Sequence, residues 1–206
     1  MVSFNVLIAS IGRPTLLDML NSLKTQLTEN DIITIVFDGV KPSFEINTHN
    51  FLCKIQIHYN KTNLGHWGHG IRNKYSSIIE KRDFILHADD DDIYLDNAFN
   101  LLRQDCIDTN CLYIARMSFK PFENRFVPER DEIVEACIGT PNGVIPYELN
   151  KKSIWELRYG GDFNFYKGLE QNANNIVFLS HIIYQIKPRQ ISDFLKKNGL
   201  KLIKKN

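Results

Sequence analysis

Four short apolar runs, each closed by a turn or a polar cluster, alternate with helix-patterned sequence through the first half of the chain. Asn5 to Ile11 is stopped by Gly12 and Pro14, and Ile32 to Phe37 by Asp38-Gly39. Ile55 to Tyr59 leads toward a glycine-rich loop, and Phe84 to Leu86 runs into a cluster of aspartates. Runs this short and continuous read as strands buried on both faces. Behind Pro14, Leu16, Leu17, Leu20, Leu23 and Leu27 recur at helical spacing; Ile71 to about Glu80 and Asn97 to Ile107 read as further helices. Alternation of this kind restricts the chain to an α/β fold, with a mostly parallel central sheet flanked by helices on both faces.

The 206 residues, 43% of them hydrophobic, suffice for one domain with a proper core, so residues 1–206 are read as a single unit. With 25 Lys plus Arg against 24 Asp plus Glu, the chain carries no basic excess and is not expected to bind nucleic acid. Cys53, Cys106, Cys111 and Cys137 lack CxxC spacing and read as reduced thiols, which fits a cytoplasmic setting. Met1 to Asn5 has no basic start followed by a long apolar stretch, and no run approaches transmembrane length, so a soluble protein is expected.

Beyond Leu112 the pattern loosens. Cys111 to Phe119, Ile133 to Gly139 and Asn175 to Ile186 read as strands, and Asn150 to Trp155 and Asp162 to Leu169 as helices. Pro121, Pro128, Pro141, Asn142-Gly143 and Pro146 mark turns, and a lysine-rich amphipathic tail begins at Ser192.

The chemistry concentrates in Asp89-Asp90-Asp91-Asp92, directly after the fourth apolar run. Carboxylates at a buried strand end need a compensating cation or an open cleft. Oxygen ligands suit hard divalent ions, which are commonly shared between one or two carboxylates and a substrate's phosphates. A solvated surface loop is the plain alternative, while an EF-hand calcium loop is excluded because Ile93 and Tyr94 stand where a ligand and the turn glycine are required. In a parallel sheet the carboxyl ends lie on one edge, so Ala9-Ser10, Asp38, Arg72-Asn73 and the aspartates converge there.

That order of motifs resembles the GT-A fold glycosyltransferases, particularly the family 2 type, over roughly residues 4 to 100. Ala9-Ser10-Ile11-Gly12-Arg13-Pro14 is similar to the family's first strand and helix start. Ile35-Val36-Phe37-Asp38-Gly39 is similar to its second strand, with Phe37 where a first aspartate is usual. Asn63-Leu64-Gly65 with Arg72-Asn73 matches its loop near the nucleotide, and Leu86 to Tyr94 its DXD region. The resemblance implies a nucleoside-diphosphate-sugar donor, a UDP-sugar foremost, with manganese or magnesium as cofactor. It sets Ala9, Ser10, Arg13, Asp38, Asn63, Arg72, Asp89 and Asp90 against the donor, Asp91 and Asp89 on the metal, and Asp92 as a structural neighbour. Residues 1–100 then form the donor half, and residues 101–206 the half that binds a glycan, glycoprotein or lipid-linked acceptor.

For the acceptor half the resemblance points to Asp162, in Tyr159-Gly160-Gly161-Asp162, as the base that deprotonates the attacking hydroxyl; the usual preceding glutamate is Gly161. Read by itself, Asp162 caps a helix after two glycines. His181 has two readings, a late metal ligand or a hydrogen-bonded structural histidine. Tyr184-Gln185-Ile186-Lys187 aligns with the family's Tyr-x-x-His pattern, and Lys187 in the histidine's place implies a point charge for phosphate. Trp67, with His66 and His69 around it, and Trp155 suit stacking on a sugar or base, or core packing. The tail from Phe194 to Lys205 is a solvated terminus or a weak peripheral contact with an anionic membrane. Two other functions compete: a nucleotidyltransferase, and a non-catalytic sugar-nucleotide or glycan-binding module.

Overall fold

The apolar runs of the first half become the strands that the alternation predicts. In the computed structural model, which describes residues 1–119 and 125–187, β1 (Phe4–Ser10) lies at the centre, buried along its whole length. It is followed by α1 (Leu16–Leu23), β2 (Ile32–Asp38), β3 (Lys54–Asn60), a 3-10 turn at His66–Gly68 and α2 (His69–Tyr75). β4 (Phe84–Asp89) completes the parallel half. Ile8 pairs with Ile35 of β2 and Ala88 of β4, while β2 pairs with β3 in the same direction. Ser10, Asp38, Asn60 and Asp89 therefore end neighbouring strands on one edge.

The second half joins the same sheet. After β5 (Ile93–Tyr94) and α3 (Ala98–Asp105) come β6 (Cys111–Phe119), β7 (Phe126–Val127), β8 (Gly143–Pro146), α4 (Tyr147–Asn150), α5 (Gly161–Asn172) and β9 (Asn175–Ile186). The strand order is β3-β2-β1-β4-β8-β6-β9-β5, with β7 beside β6. β8 runs antiparallel to both β4 and β6, and β6 runs parallel to β9. The long ladders are parallel and the antiparallel ones short, giving the mostly parallel sheet flanked by helices that was expected.

The cores follow from the strand faces. Val6, Ile8, Ile35 and Phe37 pack against Leu16, Leu20 and Leu23 of α1 and against Phe99 and Leu102 of α3. A second cluster gathers Ile114, Ile145, Trp155, Phe165 and Leu169, with the Trp155 and Phe165 rings stacked at 3.9 Å between centroids. Trp155 is thus a core residue, 1% exposed, and does not line an acceptor surface.

Several expected elements shift. Residues 133–139 form a loop, and the helix placed over Asn150 to Trp155 is instead α4, ending at Asn150. β8 occupies residues read as turn, because Val144 and Ile145 are pulled into the sheet between Leu86 and Tyr113. α2 stops at Tyr75, short of Glu80. Pro121 and the lysine-rich tail lie outside the described residues. The four cysteines are free thiols, and among the described residues no helix is long and apolar enough to cross a membrane.

Candidate active site

At the sheet's carboxyl edge, the turn after β1 is fastened to the turn after β4. Ser10 Oγ donates to Asp90 Oδ2 at 2.7 Å, and the Ile11 N–H donates to the same oxygen at 3.0 Å. Arg13 reaches Asp90 Oδ1 at 3.3 Å and also pairs with Asp91. Asp90 is 3% exposed, and burial raises its pKa against the opposing pull of the Ser10 hydroxyl and Arg13. Asp92 is also buried; desolvation and then the charges of Asp89 and Asp91 hold its pKa well above the ordinary range. Its Oδ1 accepts the Lys187 N–H at 3.0 Å, as suits a structural neighbour.

Asp38 shapes the glycine loop. Its two carboxylate oxygens accept the N–H groups of Leu64 and Gly65 at 2.7 and 2.8 Å, and Asn63 Nδ2 donates to its carbonyl at 3.3 Å. Phe37 faces the core and stacks on Tyr59 with 5.3 Å between ring centroids, which explains an aromatic residue where a carboxylate was anticipated.

Arg72 is the buried cation of the site. It donates to Trp67 O at 2.8 Å, Ala88 O at 3.1 Å and Asp89 Oδ1 at 2.6 Å, with its guanidinium 5.3 Å from the centre of the Trp155 ring. Gly68, at φ +82°, is required here: a Cβ would stand 2.7 Å from Arg72 Nη1 and 2.8 Å from Ala9 Cβ. Trp67 itself adopts φ +54°, and it is 61% exposed with its ring edge-on to exposed Tyr159 at 5.7 Å. Its indole is therefore a surface group and not a core one.

Asp162 occupies the first turn of α5, with its side chain 19% exposed. Thr140 Oγ1 donates to Asp162 Oδ1 at 2.6 Å, and His69 Nε2 lies 3.9 Å from that oxygen. His69 Nδ1 is 2.7 Å from Glu156 O. Burial, reinforced by Arg72, lowers the His69 pKa, while the Glu156 carbonyl and the charges of Asp162 and Asp89 oppose the shift. His69 is thus held between the Glu156 carbonyl and Asp162 on the helix that also carries Arg72.

The structure gathers Ala9, Ser10, Arg13, Asp38, Asn63, Arg72 and Asp89 to Asp91 along one edge, sets the backbone of Lys187 against Asp92 with its ammonium turned away, and leaves His181 elsewhere. His181 Nε2 is 3.0 Å from Asp105 Oδ2 at the end of α3. Lys187 Nζ is 2.6 Å from Asp18 Oδ2 on α1. Among the described residues no group of three His, Cys, Asp or Glu side chains converges to hold a metal ion. Thr140 was not anticipated, and no local pattern marks it, since it meets Asp162 only through the chain's return into β8. His69 was noted as a decoration of the glycine loop, but its approach to Asp162 was not.

No protein-family model and no curated protein matches the chain. Solved structures do. A 1–349 portion of S. aureus TarS superposes with a TM-score of 0.69 at 17% identity, covering 95% of this chain and 64% of that one. The fold is of the GT-A type. The same portion in complex with UDP-GlcNAc gives a TM-score of 0.68 at 18% identity, covering 90% of this chain and 58% of that one. Against a further TarS structure the chain covers 38% of the length, with a TM-score of 0.65. The chain therefore spans less than two thirds of the TarS chains it resembles.

Proposed function

We propose that this chain is a glycosyltransferase that moves a sugar from a nucleoside-diphosphate sugar, of the UDP-sugar class, to a hydroxyl of a glycan, glycoprotein or lipid-linked acceptor. The observation that carries the reading is the gathering of Ser10, Arg13, Asp38, Arg72 and Asp89 to Asp91 at one sheet edge, with Asp162 3.9 Å from His69, which shares α2 with Arg72. TarS, which has this fold, has been crystallised with UDP and with UDP-GlcNAc.

The donor set fits a shared divalent ion. Asp89 keeps 32% of its side chain exposed and Asp91 is paired with a half-exposed arginine, which suits one or two carboxylates with phosphate oxygens completing the shell. Asp89 and Asp91 would hold the manganese or magnesium, which when bound neutralises charge on the departing diphosphate. Arg72 and Arg13 supply fixed positive charge beside it. Asp162 takes the proton of the acceptor hydroxyl as the acceptor oxygen attacks the anomeric carbon and the nucleoside diphosphate leaves.

Calorimetry with UDP in manganese and in EDTA, paired with UDP release from UDP-GlcNAc, tests the reading. UDP should bind in manganese, and the binding should be lost in EDTA and in Asp89→Ala. Asp162→Asn should keep UDP affinity and lose turnover by about 100-fold or more, the scale of a missing general base. Equal losses of affinity and turnover would make Asp162 structural, and failure to bind any nucleoside diphosphate would end the proposal.

A further inference from the structure

The His69 imidazole is set for a purpose that core packing does not require. It is 2% exposed, lies in the first turn of α2, and faces two residues of the other half: Glu156, whose O is 2.7 Å from Nδ1, in the loop before α5, and Asp162, whose Oδ1 is 3.9 Å from Nε2, on α5. A carbonyl accepts only from a protonated nitrogen, so the 2.7 Å contact puts a hydrogen on Nδ1, and the neutral ring then carries its lone pair on Nε2. Nε2 lies 3.9 Å from Asp162 Oδ1. The place is made by Gly161, because a Cβ there would stand 2.9 Å from His69 Nδ1 and 2.3 Å from Glu156 O. Thr140 and His69 both address Oδ1, and among the described residues Oδ2 of Asp162 has no partner.

We propose that His69 is the proton partner of Asp162: a positioning residue that receives, through that carboxylate, the proton leaving the acceptor hydroxyl. The inference rests on the glycosyltransferase reading. The acceptor O–H bond breaks and its proton enters the Asp162–His69 pair. The oxygen's electron pair forms the bond to the anomeric carbon, and the anomeric C–O bond to the diphosphate breaks with its pair leaving on the nucleotide. A neutral imidazole beside a carboxylate can become an imidazolium–carboxylate pair, so one proton is stored without losing the negative charge that Thr140 grips. Burial, which lowers the His69 pKa, keeps the ring neutral and ready at physiological pH. The other titratable groups that act on it are Arg72 on its own helix, Asp89 and His87 on β4, and Asp162 on α5.

Two measurements separate the pair from the reading it rests on. In the whole protein with labelled histidine, the His69 titration is followed by NMR in the wild type and in Asp162→Asn. Removing the carboxylate charge should lower the His69 pKa further, and an unchanged titration would overturn the proposal. In the second, UDP release from UDP-GlcNAc is followed against pH. His69→Phe keeps the ring's bulk but no nitrogen; kcat should fall about 10-fold or more with KM for UDP-GlcNAc unchanged, and the rise of rate with pH through the imidazole's titration should vanish. His69→Gln, which can still meet Glu156 and Asp162, should recover part of the loss. A His69→Phe protein with wild-type kcat and pH profile would make the ring a packing group. A wild type that neither binds UDP nor releases it would instead remove the source of the proton, while the imidazole titration would still decide whether the two side chains are coupled.

Discussion

Arg72 shows how one side chain can couple the backbone of a loop to a strand end. It is wholly buried, and its guanidinium donates to the carbonyl of left-handed Trp67, the carbonyl of Ala88 and the Asp89 carboxylate. A left-handed conformation at a bulky residue costs about 1–3 kcal/mol and persists only where the surroundings enforce it. Here the enforcing group is the guanidinium fork, so Arg72→Lys is not conservative: an ammonium cannot span the three acceptors. Arg72→Lys should cost about 3 kcal/mol, the scale of breaking a buried pair, and weaken UDP binding together with stability. Urea unfolding checks the first and calorimetry the second; a lysine variant with wild-type stability would show that the Trp67 turn is held by other contacts. The sequence marked Arg72 through the Arg-Asn pair after a glycine loop, but its burial is not legible there. Charge and chain position indicate an arginine near phosphate, whereas its bonds to the Ala88 carbonyl and the Asp89 carboxylate exist only once the fold brings α2 to the end of β4.

Among the elements, the joints between strand and helix carry polar staples that fix the first half. Asp31, 0% exposed, accepts the Phe4 N–H at 2.9 Å, the Thr28 N–H at 2.8 Å and the Thr28 hydroxyl at 3.0 Å, and pairs with Arg103 of α3. One carboxylate thus ties the start of β1 to the entry of β2 and to a helix more than seventy positions downstream. Asp31→Ala would take the carboxylate from Arg103 and from the Phe4 and Thr28 N–H donors, and about 3–5 kcal/mol should be lost. For a chain of this size that lowers the melting temperature by about 2–4 °C per kcal/mol. A thermal scan that moves by less than about 2 °C would mean that water replaces the carboxylate. The parallel half was readable because β1, β2 and β4 are local apolar runs whose burial on both faces leaves an uninterrupted pattern. The antiparallel half was not. β8 is four residues ending in proline, and it becomes a strand only because β4 and β6 offer edges on both sides; residues 133–139 are apolar enough for a strand but have no such edge. The same distinction applies to the site, where the strand-end carboxylates were legible and the meeting of Thr140, His69 and Asp162 across the turn before β8, α2 and α5 was not.

At the scale of the whole molecule, β8 makes one sheet of two halves, and this sets how a donor bound at one edge should act on the rest. The groups assigned to the donor belong to β1, β2, β4, α2 and the turns after β1 and β4, whereas Asp162 and the Trp155–Phe165 stack belong to the second half. Were the halves independent, a ligand on the first would stabilise only the first. Because β4 pairs with β8 and β8 with β6, unfolding of either half removes a neighbour that the other needs. The chain should therefore melt in one transition, with tryptophan fluorescence, which includes buried Trp155, and far-ultraviolet dichroism coinciding. UDP with manganese at 100 times its dissociation constant adds about 2.7 kcal/mol to the folded state. On the same size scaling both signals should move up together by about 5–11 °C. Asp89→Ala should keep the single transition and lose the ligand-dependent rise. Two transitions, with only the earlier one moved by UDP, would mean that the β8 joint does not transmit donor binding to the half that holds Asp162, and that the proton-accepting side of the site is organised without help from the nucleotide.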